Sequence, residues 1–592
     1  MSILHMPVSA LKALAKDASP FSSVSLPFLP AKFAAPAACI LFGLLISIMP
    51  HLLWWPSLGS PVWIADNDEL LYLSHAGQAY FNHPLHISDP IFVSDRPTVY
   101  PWLQLAPGIA IAKLFAFGPL AISLIWRAWA GVTIALGWYL LAKFYIRRPW
   151  LAFALSAVLL ADVGLTPARP VLRQLVTTVQ VILEHTDNIL DRNPQIHLEW
   201  RIITPGLSLG YLLLHIWLVA RAREVPDRKR ILLAGTGLGI LFYAYFFYWT
   251  SACVAFGIAT LLDTAKKKVY LEAGCLGLAL GSPALLSMLL LKRSAAPDWL
   301  IRSDFGVPIP RFSELLVPKG AILLLVLLFL WVWNRRRDLI YVWTLALSAL
   351  LLSNHQILTG MQMSNFHWTY VWGPCLSFLF FLAAGDLLVD YIRPRRLVPL
   401  LVTVFLIMHL TAGLWLRAIE AKQTRQSAEL TRGYGQYRGQ LRSAQLLLAP
   451  NAVIAGDHQF VDLAAILNNL RPLDHYAVVV SPSVSSSEWD TRIALNSFLL
   501  GLDRQTFAGR QRADLDIWEW GLEARDPAHR EERLSGRIRI YDQIAADPFP
   551  SLRRFQVKYV ALRKENGVAS NYIRSNWLRI QDGPYWELWT EK

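Results

Sequence analysis

Charge is scarce in this sequence. Asp, Glu, Lys and Arg together make up 17% of the 592 residues, against 54% hydrophobic, and the mean hydropathy is +0.37. That excludes an ordinary soluble globule of this length, whose surface must be hydrated. Cysteine is nearly absent too: Cys39, Cys253, Cys275 and Cys375 all lie in or beside apolar blocks. The last third has none, so it needs no disulfide framework even in an oxidising compartment. No Walker loop occurs, nor any internal repeat, which argues against P-loop chemistry. Residues 1–29 contain no long apolar core, so no cleavable signal peptide is expected. Tight metal-ligand spacing is missing as well. His83 and His86 with Asp89 come nearest, and no metal ligand is assigned.

What the chain has is apolar blocks, for example 34–48, 231–262, 321–333 and 397–416. About 20 apolar residues cross the ~30 Å hydrocarbon layer. The formal net charge is +14, but the positive residues form short clusters between apolar blocks: Arg147-Arg148, the run 221–230, and 266–268, 335–337 and 393–396. Cytoplasmic loops carry this pattern, and it points away from nucleic acid. With every cluster and the N-terminus inside, the spans fall near 36–55, 119–146, 150–166, 204–222, 230–247, 249–264, 269–291, 319–333, 338–353, 368–391 and 397–417. These are about eleven helices with the C-terminus outside. The stretch 231–262 reads either as two short helices or as one long tilted one. The stretch 105–117 is too short to span and reads as an amphipathic surface helix.

The expected fold is therefore a polytopic α-helical membrane protein, N-terminus in and C-terminus out. A cytoplasmic segment (1–35) precedes a membrane domain (36–418) with outer loops 56–104, 166–203, 292–318 and 354–367. Beyond it, 419–592 mixes charges of both signs with short apolar runs, as an extracytoplasmic α/β domain of ordinary size does. Strands are expected at 452–455, 476–480 and 557–562, with a terminal hairpin over 577–580 and 585–589. Helices are expected at 460–469 and 493–502. All the long polar loops face one side, which places the function there.

The first outer loop holds Ala65-Asp66-Asn67-Asp68-Glu69-Leu70-Leu71-Tyr72. One reading is a solvated helix start, with Asp66 as cap and Asp68 and Glu69 favouring the positive end of the dipole. Asp68 and Tyr72, four apart, would then share a face. A carboxylate beside apolar walls is costly, however, which favours use. The string Asp68-Glu69-x-x-Tyr72, just after the first span, resembles the first-loop motif of the GT-C superfamily of membrane glycosyltransferases. Protein O-mannosyltransferases and aminoarabinose transferases acting on lipid A belong to that group. The resemblance implies a GT-C-like fold and a sugar donor on a polyprenyl phosphate or diphosphate. It implies a catalytic carboxylate at Asp68, with Asp66 as the substitute. Glu69 would be second base, dipole partner or metal ligand. A divalent cation (Mg or Mn) stays open, because some members need one and others do not.

Transfer from a lipid phosphate also needs cations or hydrogen-bond donors for the leaving phosphate. Arg201, after Glu199 and Trp200 at the mouth of a span, is one candidate; Arg96, near Tyr100, is another. Arg169, Arg173, Arg302, Arg311 and Lys319 are further options. His355, Gln356 and His367 in the fourth outer loop offer neutral groups for sugar hydroxyls or phosphate oxygens. Tyr72 completes the substrate-binding set. The expected partners are the bilayer, the bacterial inner membrane, and a polyprenyl-phosphate sugar. The competing readings are a transporter or flippase for a lipid-linked glycan, and a polysaccharide polymerase or ligase of another membrane fold.

Overall fold

A computed structural model describes residues 31–82, 102–162, 200–303, 305–392, 397–423, 425–475, 481–517, 526–564 and 571–592. Within the described residues, helix runs through each apolar stretch read above as a span. Six helices are long and apolar enough to cross a membrane on their own: Phe33–Leu58, Ala121–Ile146, Pro205–Glu224, Thr264–Ser294, Phe366–Tyr391 and Leu397–Lys422. The chain is a multi-pass membrane protein. Shorter apolar helices, such as Pro149–Ala161 and Phe246–Leu262, rise only ~20–25 Å. Their ends must be satisfied by neighbours.

Two such ends are visible. The stretch 231–262 forms two helices, Arg228–Ala244 and Phe246–Leu262, parted at Tyr245, whose backbone is extended (φ −161°, ψ 129°). The rings of Phe242 and Trp249 stack across this break at 4.4 Å. Arg228–Ala244 packs closely on Lys267–Ser294: a Cβ added at Gly277 would lie 2.4 Å from Leu238 Cδ2, and one at Gly281 2.4 Å from Phe242. Small residues let membrane helices approach in this way. The second end belongs to Pro149–Ala161. Buried Arg417 donates to the carbonyls of Leu160 (2.7 Å) and Ala161 (2.9 Å), two of the carbonyls a helix C-terminus leaves without a partner.

The stretch 105–117 is helical over Trp102–Leu114. It packs against Ala121–Ile146 through Gly108 and Trp126, whose indole donates to the Leu105 carbonyl.

The tail carries a mixed five-stranded sheet. Its strands are β1 (Val453–Gly456), β2 (Arg471–Pro472), β3 (Val557–Arg563), β4 (Trp577–Asp582) and β5 (Trp586–Glu591), in the order β2-β1-β3-β5-β4. The β1 pairings are parallel, and β4–β5 is the expected antiparallel terminal hairpin. The strand expected at 476–480 lies outside the described residues. The helices expected at 460–469 and 493–502 are His458–Asn468 and Ser486–Leu499. Both start earlier than hydrophobic period suggests, because Asp457 and Ser485 cap them.

Among the described residues the tail touches the membrane domain at several places, two of which bear on the site. Buried Arg302, in the third outer loop, donates to the carbonyls of Ser481 (2.9 Å) and Val484 (2.6 Å). The helix Asn67–Phe81 lies against His458–Asn468 so closely that a Cβ on Gly77 would sit 3.0 Å from the Ile466 carbonyl oxygen.

Candidate active site

The site begins at the N-terminus of Asn67–Phe81. Asp66 is the N-cap, its Oδ1 accepting from the Glu69 amide at 2.9 Å. One turn of helix then sends Glu69 inward and leaves Asp68 at the rim. Glu69 is buried in a bidentate pair with Arg127: Nη1 reaches Oε1 at 2.8 Å, and Nη2 reaches Oε2 at 2.7 Å. Ser123 Oγ (2.5 Å) and the Ala65 amide (2.6 Å) also donate to this carboxylate. The same guanidinium donates to the Trp200 carbonyl at 3.1 Å and to His51 Nε2 at 3.2 Å, and it lies 4.4 Å from the centre of the Trp63 ring. One arginine therefore fixes both the helix carrying Asp68 and the peptide carrying Arg201.

Arg201 precedes a wide π turn, Ile202–Leu207. Its Nη2 lies 3.6 Å from Asp68 Oδ2, and its Nη1 donates to the Tyr370 hydroxyl at 2.5 Å. Both side chains of the Asp68–Arg201 pair keep about a quarter of their surface exposed (27% and 24%). A narrow, partly open cleft is lined by Ala65, Asp66, Asp68, Glu69, Tyr72, Arg127, Trp200 and Arg201.

Burial pushes the Asp66 carboxyl up to about 7, helped by the negative charges of Asp68 and Glu69 and opposed by the Glu69 amide and Arg201. Burial also raises Asp68, with Arg201 pulling the other way. Burial works against the charge on Arg201, but Tyr370, Asp68, Tyr72 and Asp66 outweigh it and hold the guanidinium above its usual value. Two carboxyls with raised affinity for protons thus face the Arg201 guanidinium, a pattern common in functional clefts.

The structure brings Asp66, Asp68, Glu69, Tyr72 and Arg201 together. His367 adjoins them through Tyr370, whose ring centre is 5.7 Å away, and it stacks on Phe247 at 5.0 Å and bonds the Tyr245 hydroxyl. His355 and Gln356 serve elsewhere. The His355 ring bonds the Leu352 carbonyl (3.1 Å), and Gln356 donates to the Ser313 and Glu314 carbonyls (3.5 and 3.4 Å). Gln356 ties the fourth outer loop to the third. Arg302 is used in docking the tail. Arg96, Tyr100, Glu199, Arg169 and Arg173 lie outside the described residues, as do His83, His86 and Asp89. Among the described residues, no three His, Cys, Asp or Glu side chains group to hold a metal ion.

Sequence reasoning missed Arg127 and Tyr370. Arg127 had a signal: it is the one charge in the apolar run 114–142, and a lone intramembrane arginine asks for a partner. Tyr370 had none.

The fold and cleft define a multi-pass membrane protein with a charged pocket at the mouth of its helices and an α/β tail beside it. No protein-family model and no curated protein matches this chain. Among solved structures, the chain is similar to ArnT from Cupriavidus metallidurans bound to undecaprenyl phosphate, at 10% identity and a TM-score of 0.49, covering 94% of this chain and 98% of that one. It is similar to ArnT from the same organism in the apo state over the same shares, with a TM-score of 0.48.

Proposed function

We propose that this protein is a membrane glycosyltransferase. It moves a sugar from a polyprenyl-phosphate donor to a hydroxyl of a lipid, glycan or protein acceptor at the outer face of the bacterial inner membrane. The observation that carries this reading is the Asp68–Arg201–Tyr370 constellation, at 3.6 and 2.5 Å, in a cleft beside the ends of apolar helices.

In the resting cleft Asp68 neutralises Arg201. An incoming phosphate, with more charge and more acceptor oxygens, takes over the guanidinium, and the Tyr370 hydroxyl stands ready to donate to it. Asp68 then loses the cation that was lowering its proton affinity, inside a partly buried site, and becomes a stronger base. The acceptor hydroxyl gives its proton to Asp68 while its oxygen bonds to the anomeric carbon. The bond from that carbon to the phosphate oxygen breaks, and its electron pair leaves with the phosphate, held by Arg201. Asp66 tunes the local charge as the neighbouring carboxyl. Glu69 positions the helix through Arg127.

The test is Asp68→Asn in reconstituted membranes supplied with a labelled polyprenyl-phosphate sugar. Transfer is expected to fall by roughly 10²–10⁴-fold, the usual worth of a positioned base, with expression unchanged. Full activity in Asp68→Asn with Asp66→Asn also present would remove the assignment. Translocation of the labelled lipid with no transfer product would favour a transporter instead.

A further inference from the structure

Two of the helices that frame the third and fourth loops are short for a bilayer. Lys319–Arg335 has 17 residues and Ile340–Leu352 has 13, so they rise about 25 and 20 Å, against ~30 Å of hydrocarbon. Their shared end is fixed by Arg335-Arg336-Arg337, charges that belong among head groups. The opposite ends, which carry the two loops, therefore stop about 5 and 10 Å short of the other surface. The loops begin at membrane depth.

Their construction suits that depth. Irregular backbone close to hydrocarbon needs its polar groups satisfied by protein, and here one loop satisfies the other. Val307-Pro308 pairs antiparallel with Met361-Gln362, and the Ile309 amide donates to the Gly360 carbonyl at 3.0 Å. The Asn354 side chain accepts from the Leu316 amide (2.8 Å) and donates to its carbonyl (3.0 Å). Apolar side chains are left outside: Phe312 is 76% exposed and Leu358 82%, and Leu315, Val317, Met361 and Phe366 are exposed as well. Single exposed apolar residues are ordinary, but so many on two bonded loops mark an interaction surface. They continue the stripe on Lys319–Arg335 where Leu323, Val326, Leu327 and Leu330 are exposed at helical spacing. Arg311 and Lys319, both exposed, flank the loop segment, with Glu314 the one acid between them. Long cationic side chains at such a border reach up to head-group phosphates while their stems stay on apolar surface.

We propose that the third and fourth loops form an apolar plate set into the leaflet on the loop side, with its exposed side chains among the upper acyl chains and Arg311 and Lys319 on anionic head groups. The plate makes up the length that the two short helices lack. It also brings the cleft to leaflet level, because the Phe366 ring lies 5.8 Å from that of Tyr370, which holds Arg201. None of this depends on the reaction proposed above.

Spin labels on single cysteines test it in the full-length protein, in nanodiscs of phosphatidylethanolamine and phosphatidylglycerol. The exposed Cys275 and half-buried Cys253 are first removed by Cys275→Ser and Cys253→Ser. Labels at Phe312→Cys and Leu358→Cys should be relaxed severalfold more by oxygen, which concentrates among acyl chains, than by a water-soluble nickel chelate. A label at Leu327→Cys, in the helix stripe, should behave alike. A label at Leu578→Cys, exposed on β4 of the tail, should show the reverse. Omitting phosphatidylglycerol should move the 312 label outward, and Arg311→Gln with Lys319→Gln should abolish that response. Labels at 312 and 358 that favour the nickel chelate overturn the proposal. Exclusion of both reagents, or broadening between labels on two copies, gives the face to protein and overturns it too. A 312 label whose depth ignores phosphatidylglycerol in the otherwise unsubstituted plate overturns the head-group contact.

Discussion

Replacing either half of the Glu69–Arg127 pair should damage the protein far more than replacing both. The pair is bidentate, with contacts of 2.7 and 2.8 Å, and its side chains are 2% and 0% exposed. At 2.7 Å and an effective dielectric of about 20, Coulomb attraction is roughly 6 kcal/mol, part of which desolvation cancels. Glu69→Leu strands a buried guanidinium. Arg127→Met strands a buried carboxylate and leaves the Trp200 carbonyl without its donor. Each change should cost about 3–5 kcal/mol. The double variant removes both charges and substitutes apolar bulk of similar size, and such exchanges are often close to neutral. A double-mutant cycle on unfolding in mixed micelles should therefore return a coupling of about 3 kcal/mol or more. Single losses below about 1 kcal/mol, or losses that add in the double variant, would refute the view that this pair fixes the site. A second readout separates stability from function. At a temperature where Arg127→Met is still folded, its transfer rate should remain low, because Arg201 is no longer anchored through Trp200.

Two further outcomes follow from the same geometry. In the proposed reaction Asp68 acts as an ionised base, and burial raises its proton affinity, so kcat/KM should fall with decreasing pH at values above the ordinary carboxylate range. Arg201→Gln removes the charge that opposes this rise and should move the acid limb to higher pH at reduced overall rate; a limb near pH 4, unmoved by the substitution, contradicts the assignment. Arg417→Met uncovers the carbonyls of Leu160 and Ala161 at the end of a short helix and should destabilise unfolding-monitored samples by about 1–3 kcal/mol; a neutral result would mean that other donors replace the guanidinium.

Local chemistry was legible in the sequence wherever it is settled within a few residues. Asp66 reads as an N-cap from its place before an acidic first turn, and it is one. The aromatic run around Tyr245 hinted at an interface and left one helix or two undecided. The extended backbone at Tyr245 divides the stretch, which hydropathy does not encode. The early start of Ser486–Leu499 was readable after all, since Ser485 and Glu488 have the spacing of a capping box. What the sequence hid are partnerships across distance. Glu69 and Arg127 are 58 positions apart, and Arg201 and Tyr370 are 169 apart. No periodicity or motif links them. Tyr370, one of 20 tyrosines and set at the start of an apolar helix, looks like an interface anchor until the fold places it beside a guanidinium.

The arginines differ in how firmly they are held, and this difference points to one of them. Arg127, Arg302 and Arg417 are each 0–2% exposed and bonded to carboxylates or carbonyls at 2.6–2.9 Å. Removing any of these arginines would leave buried acceptors without donors, so these cations are fixed parts of the fold. Arg201 has one carboxylate at 3.6 Å, about a quarter of its side chain in the open, and a phenol as its short contact. A partly exposed ion pair at that distance is worth about 1 kcal/mol or less. A phosphate bound in bidentate fashion exceeds that easily. On the glycosyltransferase reading proposed above, Asp68–Arg201 is therefore a pair suited to exchange, and the exchange would turn Asp68 from a counter-ion into a base at the moment the donor arrives.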